Sequence, residues 1–502
     1  MFFGNNNTTS SYGSTPSVYK MVMVVGLLAV TAIVSIVLNK AGYDFELAVI
    51  VPLAVAAAIL CLGAPKTFAA IILVAQYLFV GLGRYMQFKV GIFFDGCLLV
   101  FLFVITFNTL FAKVEWKRGF NSATFFAFIW FLYCLFELFN LRTYSYNAWL
   151  VGVRWTSVYM LLIILFVPVL ITDIKSLRAF IYIFSGLTLL AAVWIIRQKY
   201  IGLDQAELAW LSDPRIRNTH VLPFGIRYFG FYSDAANAAV SLALSGSFFI
   251  VTSLFIKKRK ERNYFFFVGA VAFWVSLYTG TRSQMIVPLI ALILMVLCSR
   301  NGKLMFWSAL FLISIFVFFR YTEIGNGNVY IWRARSAFHY DSDASYISRV
   351  INHKKVAAYM KGKPFGVGIG MAETRALKYN AESEIAKINV DSWIYLLYVE
   401  TGIVGLSLYL AMFAFFFIHG IRLALFKLRT KFIRGVVVAS TGCVMGVLAA
   451  SYGNEVLAQF PNGVIVFTLV AIVFVSPYLD KEYLGIENEE NKKAISSGEG
   501  KK

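Results

Sequence analysis

The fold class predicted for this 502-residue chain is all-α: a polytopic membrane helix bundle of about 12–14 transmembrane helices, with a mostly helical outward loop between two of them. Three observations predict it. Hydrophobic residues make up 59% of the chain and charged ones only 14%, against roughly 25% charged in soluble globular domains, so lipid is the solvent for most of it. Apolar runs of the length that crosses a bilayer recur along the sequence. Between them, Lys and Arg fall in short clusters on alternate sides, as cytoplasmic loops of membrane proteins do. The formal charge of +20 therefore needs no nucleic acid to explain it.

Taken in order, residues 1–20 are polar and lack the basic start and small-residue cleavage site of a secretory signal, so they read as a cytoplasmic tail before a retained first span. Candidate spans follow near 21–38, 47–64, 67–83, 92–112, 122–141, 156–172 and 179–196, and a second series near 237–256, 264–280, 283–299, 305–319, 402–418, 435–452 and 463–478. These group into N-terminal spans over 21–236, spans over 237–319 and C-terminal spans over 392–478. Lys113, Lys117 and Arg118, Lys175 and Arg178, Lys257 to Arg262, and Arg422 to Arg434 share one side if the N-terminus is cytoplasmic. Residues 479–502 are short, charged and Gly/Ser-containing, which predicts a disordered cytoplasmic tail. Cys61, Cys97, Cys134, Cys298 and Cys443 sit in or beside apolar runs without paired spacing, so neither a disulfide framework nor a metal site is expected.

Two outward segments exceed what a connector requires, one near 199–236 and the other from Arg320 to Asp391. The second carries eleven Lys/Arg against seven Asp/Glu. A loop of that length escapes the positive-inside bias, so its basic character points to an anionic ligand.

Several residues in these segments carry chemistry. Arg282, in Tyr278-Thr-Gly-Thr-Arg-Ser283, is wedged between two apolar spans, where a charge is expensive without a partner. A guanidinium there suits the two parallel hydrogen bonds of a pyrophosphate, or it snorkels to pin a hairpin. Arg349 and His353 share a face if the loop is helical there, and Lys354 and Lys355 read as a solvated basic face. Pro364-Phe-Gly-Val-Gly-Ile-Gly370 lacks the strand context of a dinucleotide loop but suits a flexible hinge whose backbone N–H groups approach an anion. Asp391 opens the return to the membrane and serves either as a general base or as a helix N-cap. Glu400, embedded in the following apolar stretch, is expected to bond a neighbouring helix. Arg227, Tyr232, Asp234 and Asn237 combine a cation, an aromatic face and polar groups that suit a glycan, with an interfacial aromatic belt as the alternative.

In their order and spacing these pieces resemble the O-antigen ligase/polymerase superfamily of bacterial envelope glycosyltransferases. The residues that carry the resemblance are Gly230-Phe-Tyr-Ser-Asp-Ala-Ala-Asn237, Gly280-Thr-Arg-Ser283, Ser348-Arg349, Lys363-Pro-Phe-Gly-Val-Gly-Ile-Gly370 and Trp393-Ile-Tyr-Leu-Leu-Tyr-Val-Glu-Thr-Gly-Ile-Val-Gly405. The resemblance implies a GT-C-like bundle in the bacterial inner membrane, with 199–236 and 320–391 periplasmic. It further implies a glycosyltransferase that needs no metal and no cofactor and acts on an undecaprenyl-pyrophosphate-linked oligosaccharide. Arg282 and Arg349 would then bind the donor pyrophosphate, Asp391 would activate the acceptor, and Arg227, Tyr232, Asp234, Asn237 and His353 would contact glycan. Acceptor glycan or lipid A core is the implied co-substrate, with room for a chain-length regulator as a partner. Ligases of the family typically open the return segment with His-Asn, where this chain has Asp391-Ser392, and the departure favours a polymerase. A lipid-linked oligosaccharide flippase and a non-catalytic assembly subunit are the readings from other classes. A flippase needs cations along a central pathway, whereas here they concentrate at one face.

Overall fold

The computed structural model describes residues 65–85, 114–222, 225–299, 302–327, 329–336, 344–388 and 390–496, with positions 95, 96, 102 and 106. The expected spans at 21–38 and 47–64, most of 92–112 and the tail beyond 496 lie outside the described residues. Two compact units divide the chain, Met1–Phe79 with Met86–Trp116, and Val80–Tyr85 with Lys117–Lys502. The first holds most of helix α1 (Pro65–Leu82) among its described residues.

The second unit is a helical bundle. Its long helices are α2 (Ser122–Phe139), α3 (Tyr146–Leu170), α4 (Ile174–Tyr200), α5 (Ala235–Ser253), α6 (Arg259–Ser276), α7 (Ser283–Ser299) and α8 (Gly302–Tyr321). Two shorter helices, α9 (Val329–Arg335) and α10 (Ala344–Tyr359), stand in the long insert, followed by α11 (Trp393–Lys427), α12 (Lys431–Ala450) and α13 (Asn462–Ser496). Among the described residues eight helices are long and apolar enough to cross a membrane, with Ser283–Ser299 a shorter apolar helix besides. The molecule is an all-α polytopic membrane protein. Its two short strands, Val221–Leu222 and Gly225–Ile226, form a hairpin in the 199–236 segment.

α5, α12 and α13 form the centre, with 83–89% of their apolar windows buried. Lipid tails are as apolar as Leu, so helices in a membrane associate through close packing of small residues. That explains the Ala, Ser and Gly content of α5. Cβ atoms built on Gly246 of α5 and Gly269 of α6 would stand 3.2 and 2.9 Å from the opposing glycine's carbonyl, which marks where those two backbones touch.

The N-termini of α5, α7, α11 and α13 and the C-termini of α4, α6 and α12 gather at one end of the bundle, together with both long polar segments. The opposite end carries the basic clusters. There the expectation of disorder beyond residue 478 is corrected: α13 continues to Ser496. Asp480 is buried and accepts hydrogen bonds from the backbone N–H groups of Arg429 (3.0 Å) and Thr430 (2.9 Å), capping the start of α12. Lys257 reaches Glu487 at 2.9 Å. These contacts give charged sequence a structural task that its composition does not reveal. Cys134 and Cys443 are buried free thiols; Cys61 and Cys97 lie outside the described residues.

Candidate active site at the polar end of the bundle

Arg282 stands on a tight turn between α6 and α7. The chain makes a 3-10 turn over Leu277–Thr279, passes Gly280 with φ +61°, a left-handed conformation that favours glycine, and enters a second 3-10 turn at Ser283. Two arginines hold this turn from outside. Arg227 donates to the Thr279 carbonyl (3.1 Å), the Thr281 hydroxyl (2.6 Å) and the Thr219 carbonyl (2.9 Å), and Arg333 of α9 donates to the Gly280 carbonyl (2.7 Å). Arg282 itself reaches the Ser336 hydroxyl at 3.2 Å, just past the end of α9.

Arg349 and His353 share one face of α10, as their spacing predicts. Arg349 forms an ion pair with Asp391 at 3.0 Å, with a second contact from its Nε at 3.3 Å. The N-cap reading of Asp391 fails: Ser392 is the cap of α11, its hydroxyl accepting from the Tyr395 N–H. Asp391 instead has φ +47°, the left-handed region that non-glycine residues occupy rarely. Its side chain keeps 49% of its surface accessible, enough for a hydroxyl to approach. The protein packed around the remainder raises its pKa above the ordinary carboxylate value, Arg349 opposing the rise and Glu455 and Asp234 adding to it.

The link between α12 and α13 ties these parts together. Trp393 N–H donates to the carbonyls of Ser451 (3.0 Å) and Asn454 (3.3 Å), and the Asn454 amide donates to the Ser283 hydroxyl. A Cβ built on Gly453 would lie 3.5 Å from Ser283 Cβ and 4.0 Å from an Arg349 nitrogen, so only a backbone separates the Arg282 turn from Arg349. His353 is buried, with its ring stacked on Tyr395 at 3.5 Å between centroids and near Tyr452. Burial and the neighbouring Arg349 lower its pKa, and Nε2 has no partner among the described residues. Lys354 and Lys355 are exposed, as a solvated basic face requires.

The glycine-rich segment departs from its expectation. Its amides do approach an anion, but the anion is Glu400. The N–H groups of Val367 and Gly368 donate to the carbonyls of Val399 (2.9 Å) and Glu400 (3.0 Å), and Gly370 donates to the Glu400 carboxylate (3.0 Å). The segment docks where α11 breaks at Gly402, whose φ of +68° and ψ of −172° are not helical. Gly366 leaves no room there: a Cβ would meet the Glu400 carbonyl oxygen at 2.4 Å. It is a rigid brace for the start of α11, hence for Asp391.

Four residues expected to contact glycan sit in the 199–236 segment or, for Asn237, in the first turn of α5. Tyr232 is 1% exposed and Asn237 fully buried. The Asn237 amide donates to the Phe460 carbonyl (2.7 Å) and its oxygen accepts from Asn462 (2.6 Å). Asn237 fastens α5 to the start of α13 and the link before it, and Tyr232 is enclosed by protein, so neither presents a face to a sugar. Asp234 caps α5, accepting from Ala236 and Asn237 N–H. Arg227 spends two of its guanidinium nitrogens on the Arg282 turn and the third on the Thr219 carbonyl, so its side chain ties the 199–236 segment to that turn. Burial lowers the Arg227 pKa; Asp234 and Asp391 counter this, while Arg282 and Arg349 reinforce it, which puts all five groups in one electrostatic field. The sequence reading missed Arg333 and the Gly453-Asn454 link. Arg333 could have been found from the Arg-Ala-Arg run in a loop that owes nothing to the positive-inside bias.

Two guanidiniums on either side of the Gly453 backbone, one of them paired with a carboxylate, at the polar end of a membrane bundle, can hold an anionic group and take up a proton beside it. Residues 267–410, from within α6 to within α11, match the family described as O-antigen ligase. That stretch contains Arg282, Arg333, Arg349, the glycine-rich segment, Asp391 and Glu400, and excludes Arg227 and the Gly453-Asn454 link. No curated protein matches the chain.

Proposed function

We propose that this multi-pass membrane protein, whose residues 267–410 match the family described as O-antigen ligase, serves cell-surface polysaccharide biosynthesis as an inverting glycosyltransferase, an O-antigen or exopolysaccharide polymerase. Its donor is an undecaprenyl-pyrophosphate-linked glycan, its acceptor the end of a second lipid-linked glycan. The protein sits in the bacterial inner membrane with the polar end of the bundle facing the periplasm. The observation that carries this reading is the Arg349–Asp391 ion pair beside the Arg282 turn.

The chemistry follows from those three groups. Arg282 and Arg349 bind the donor pyrophosphate through charge-assisted hydrogen bonds, which are strong and can be bidentate. The pyrophosphate competes with Asp391 for Arg349, so donor binding frees the carboxylate. Asp391 then accepts the proton of the acceptor hydroxyl, whose oxygen attacks the anomeric carbon opposite the leaving group. The bond from that carbon to the pyrophosphate oxygen breaks, a glycosidic bond forms with inversion, and the electron pair leaves on undecaprenyl pyrophosphate. Its charge is held by the guanidiniums, a role that preformed donors fill without a metal.

A ligase that transfers the finished glycan to lipid A core is the second reading, favoured by the description of the matched family; Asp391, where family ligases typically carry His, favours the polymerase. Glycan profiles of a deletion strain separate them. Loss of a polymerase leaves single repeat units on the surface, and loss of a ligase leaves none while lipid-linked polymer accumulates. A flippase is disfavoured by cations gathered at one end of the bundle.

A further inference from the structure

A cavity of about 370 Å³ opens between the link that follows α2, the end of α10 and the turn at residues 380–385. Its size falls within the range of small-molecule sites. Arg142 and Lys363 contribute its cations and Glu384 its one carboxylate. Among the described residues the Arg142 guanidinium makes no hydrogen bond or ion pair, and the Lys363 ammonium rests on the Tyr359 ring, 3.1 Å from its centroid. Positive charge is therefore in excess, and Arg142 and burial together lower the Lys363 pKa. The rest of the wall is suited to a sugar. Asn380 uses its oxygen to accept from the Glu382 N–H, which leaves its NH₂ group as a donor, and Ser383 and Tyr144 add hydroxyls. Three apolar side chains complete the lining.

We propose that this cavity binds a carboxylate-bearing sugar of the glycan at a distance from the reacting bond, which makes it a determinant of substrate choice. The inference rests on the polymerase reading, since it assumes a glycan lying along α10. Arg349 and Tyr359 are ten residues apart on that helix, about 15 Å along its axis at 1.5 Å per residue, so the sugar held here lies beyond the one being transferred. Arg142 and Lys363 take the carboxylate, and Asn380, Ser383 and Glu384 take ring hydroxyls. A bare phosphate would satisfy the cations but leave the amide, hydroxyls and apolar wall unused.

The test uses full-length protein in lipid nanodiscs and saturation-transfer NMR with methyl β-glucuronide, methyl β-glucoside and inorganic phosphate. The glucuronide should bind at least about tenfold more tightly than the glucoside, the worth of one charge-assisted contact. Arg142→Ala and Lys363→Ala should each weaken it by about the same factor, while Arg282→Ala leaves it unchanged. Equal binding of the two glycosides, no change in Arg142→Ala, or displacement of the glucuronide by phosphate at equal concentration would overturn the proposal. Failure of the polymerase reading has a different signature, wild-type glycan length in cells carrying Arg282→Ala, and does not bear on glucuronide binding.

Discussion

Arg349 and Asp391, 42 positions apart in sequence, meet at 3.0 Å where the long insert returns to the membrane. Asp391 is held there by a left-handed backbone and by Ser392, which caps α11 in its place. The cap and the proposed base are thus adjacent residues, and each can be removed without the other. Asp391→Asn should express and fold normally, because Asn tolerates the left-handed region and the Ser392 cap is untouched. Loss of a general base typically costs about 10²–10⁴-fold in rate. The outcome to check is a deletion strain complemented with this variant: single repeat units should replace the glycan ladder, and a normal ladder would remove Asp391 from the mechanism.

Arg282 and Arg349 differ in their supports, and their variants should differ accordingly. Each Ala variant loses charge-assisted contacts of about 2–5 kcal/mol when the partner charge is left buried, a loss of turnover well beyond tenfold. Lys keeps the charge without the planar fork, so Lys variants should recover part of it. In Arg349→Ala the Asp391 carboxylate also loses its ion-pair partner, so this variant should show an altered pH profile that Arg282→Ala does not. Turnover of a synthetic lipid-linked repeat unit measures both.

That pH profile has a definite sign. Burial raises the Asp391 pKa above 3.8 and Arg349 opposes the rise. The proposed base acts as the carboxylate, so kcat/KM should climb through an acid limb placed above the ordinary carboxylate range. Arg349→Gln removes the opposing charge and should move that limb to higher pH. For stability, a raised folded-state pKa means that the Asp391 contribution is present below its unfolded pKa and fades as pH rises through the folded one. An acid limb unchanged in Arg349→Gln would show that another group titrates.

The helices were legible because a spanning segment must be long, apolar and internally hydrogen-bonded, and each described span coincides with an apolar run. Arg282 stood out for the same reason, as a charge placed where lipid makes charge costly, whereas Arg349 stood out by its place in a basic outward loop and Asp391 as a carboxylate where that loop returns to the membrane. Burial at the mouth of the bundle was not legible. Tyr232 and Asn237 have the composition of a sugar site, and only the folded chain reveals that both are buried, Asn237 against the start of α13. Nor could the sequence pair Glu400 with Gly370, since an amide-to-carboxylate contact leaves no pattern in residue type. Asp480 misled for the opposite reason: within a charged tail, its one buried carboxylate caps the start of α12 and so ties α13 to its neighbour.

Residue accessibility tests the orientation. Lys361→Cys lies in the long insert and Asn263→Cys near the start of α6, both at exposed positions. In intact cells a membrane-impermeant thiol reagent should label the first and spare the second until the membrane is opened. Labelling of Asn263→Cys alone would turn the molecule over and place the arginine site in the cytoplasm.

Gly366 is the sharpest test of the brace beneath Asp391. Its φ of +81° is left-handed, which costs a residue with a side chain about 1–2 kcal/mol. The added methyl would also stand 2.4 Å from the Glu400 carbonyl oxygen, an overpacking worth about 1–3 kcal/mol more. Gly366→Ala should therefore push the glycine-rich segment off the α11 break, lowering thermal stability in detergent. The Gly370 N–H would also release the Glu400 carboxylate. Because the segment positions the start of α11, activity should fall further than stability alone explains, at a temperature where the variant remains folded. Glu400→Gln keeps the shape and one acceptor oxygen, so it should retain most of the fold and weaken only the Gly370 contact. A Gly366→Ala protein with wild-type melting temperature and glycan ladder would mean that the segment carries no structural load at Asp391.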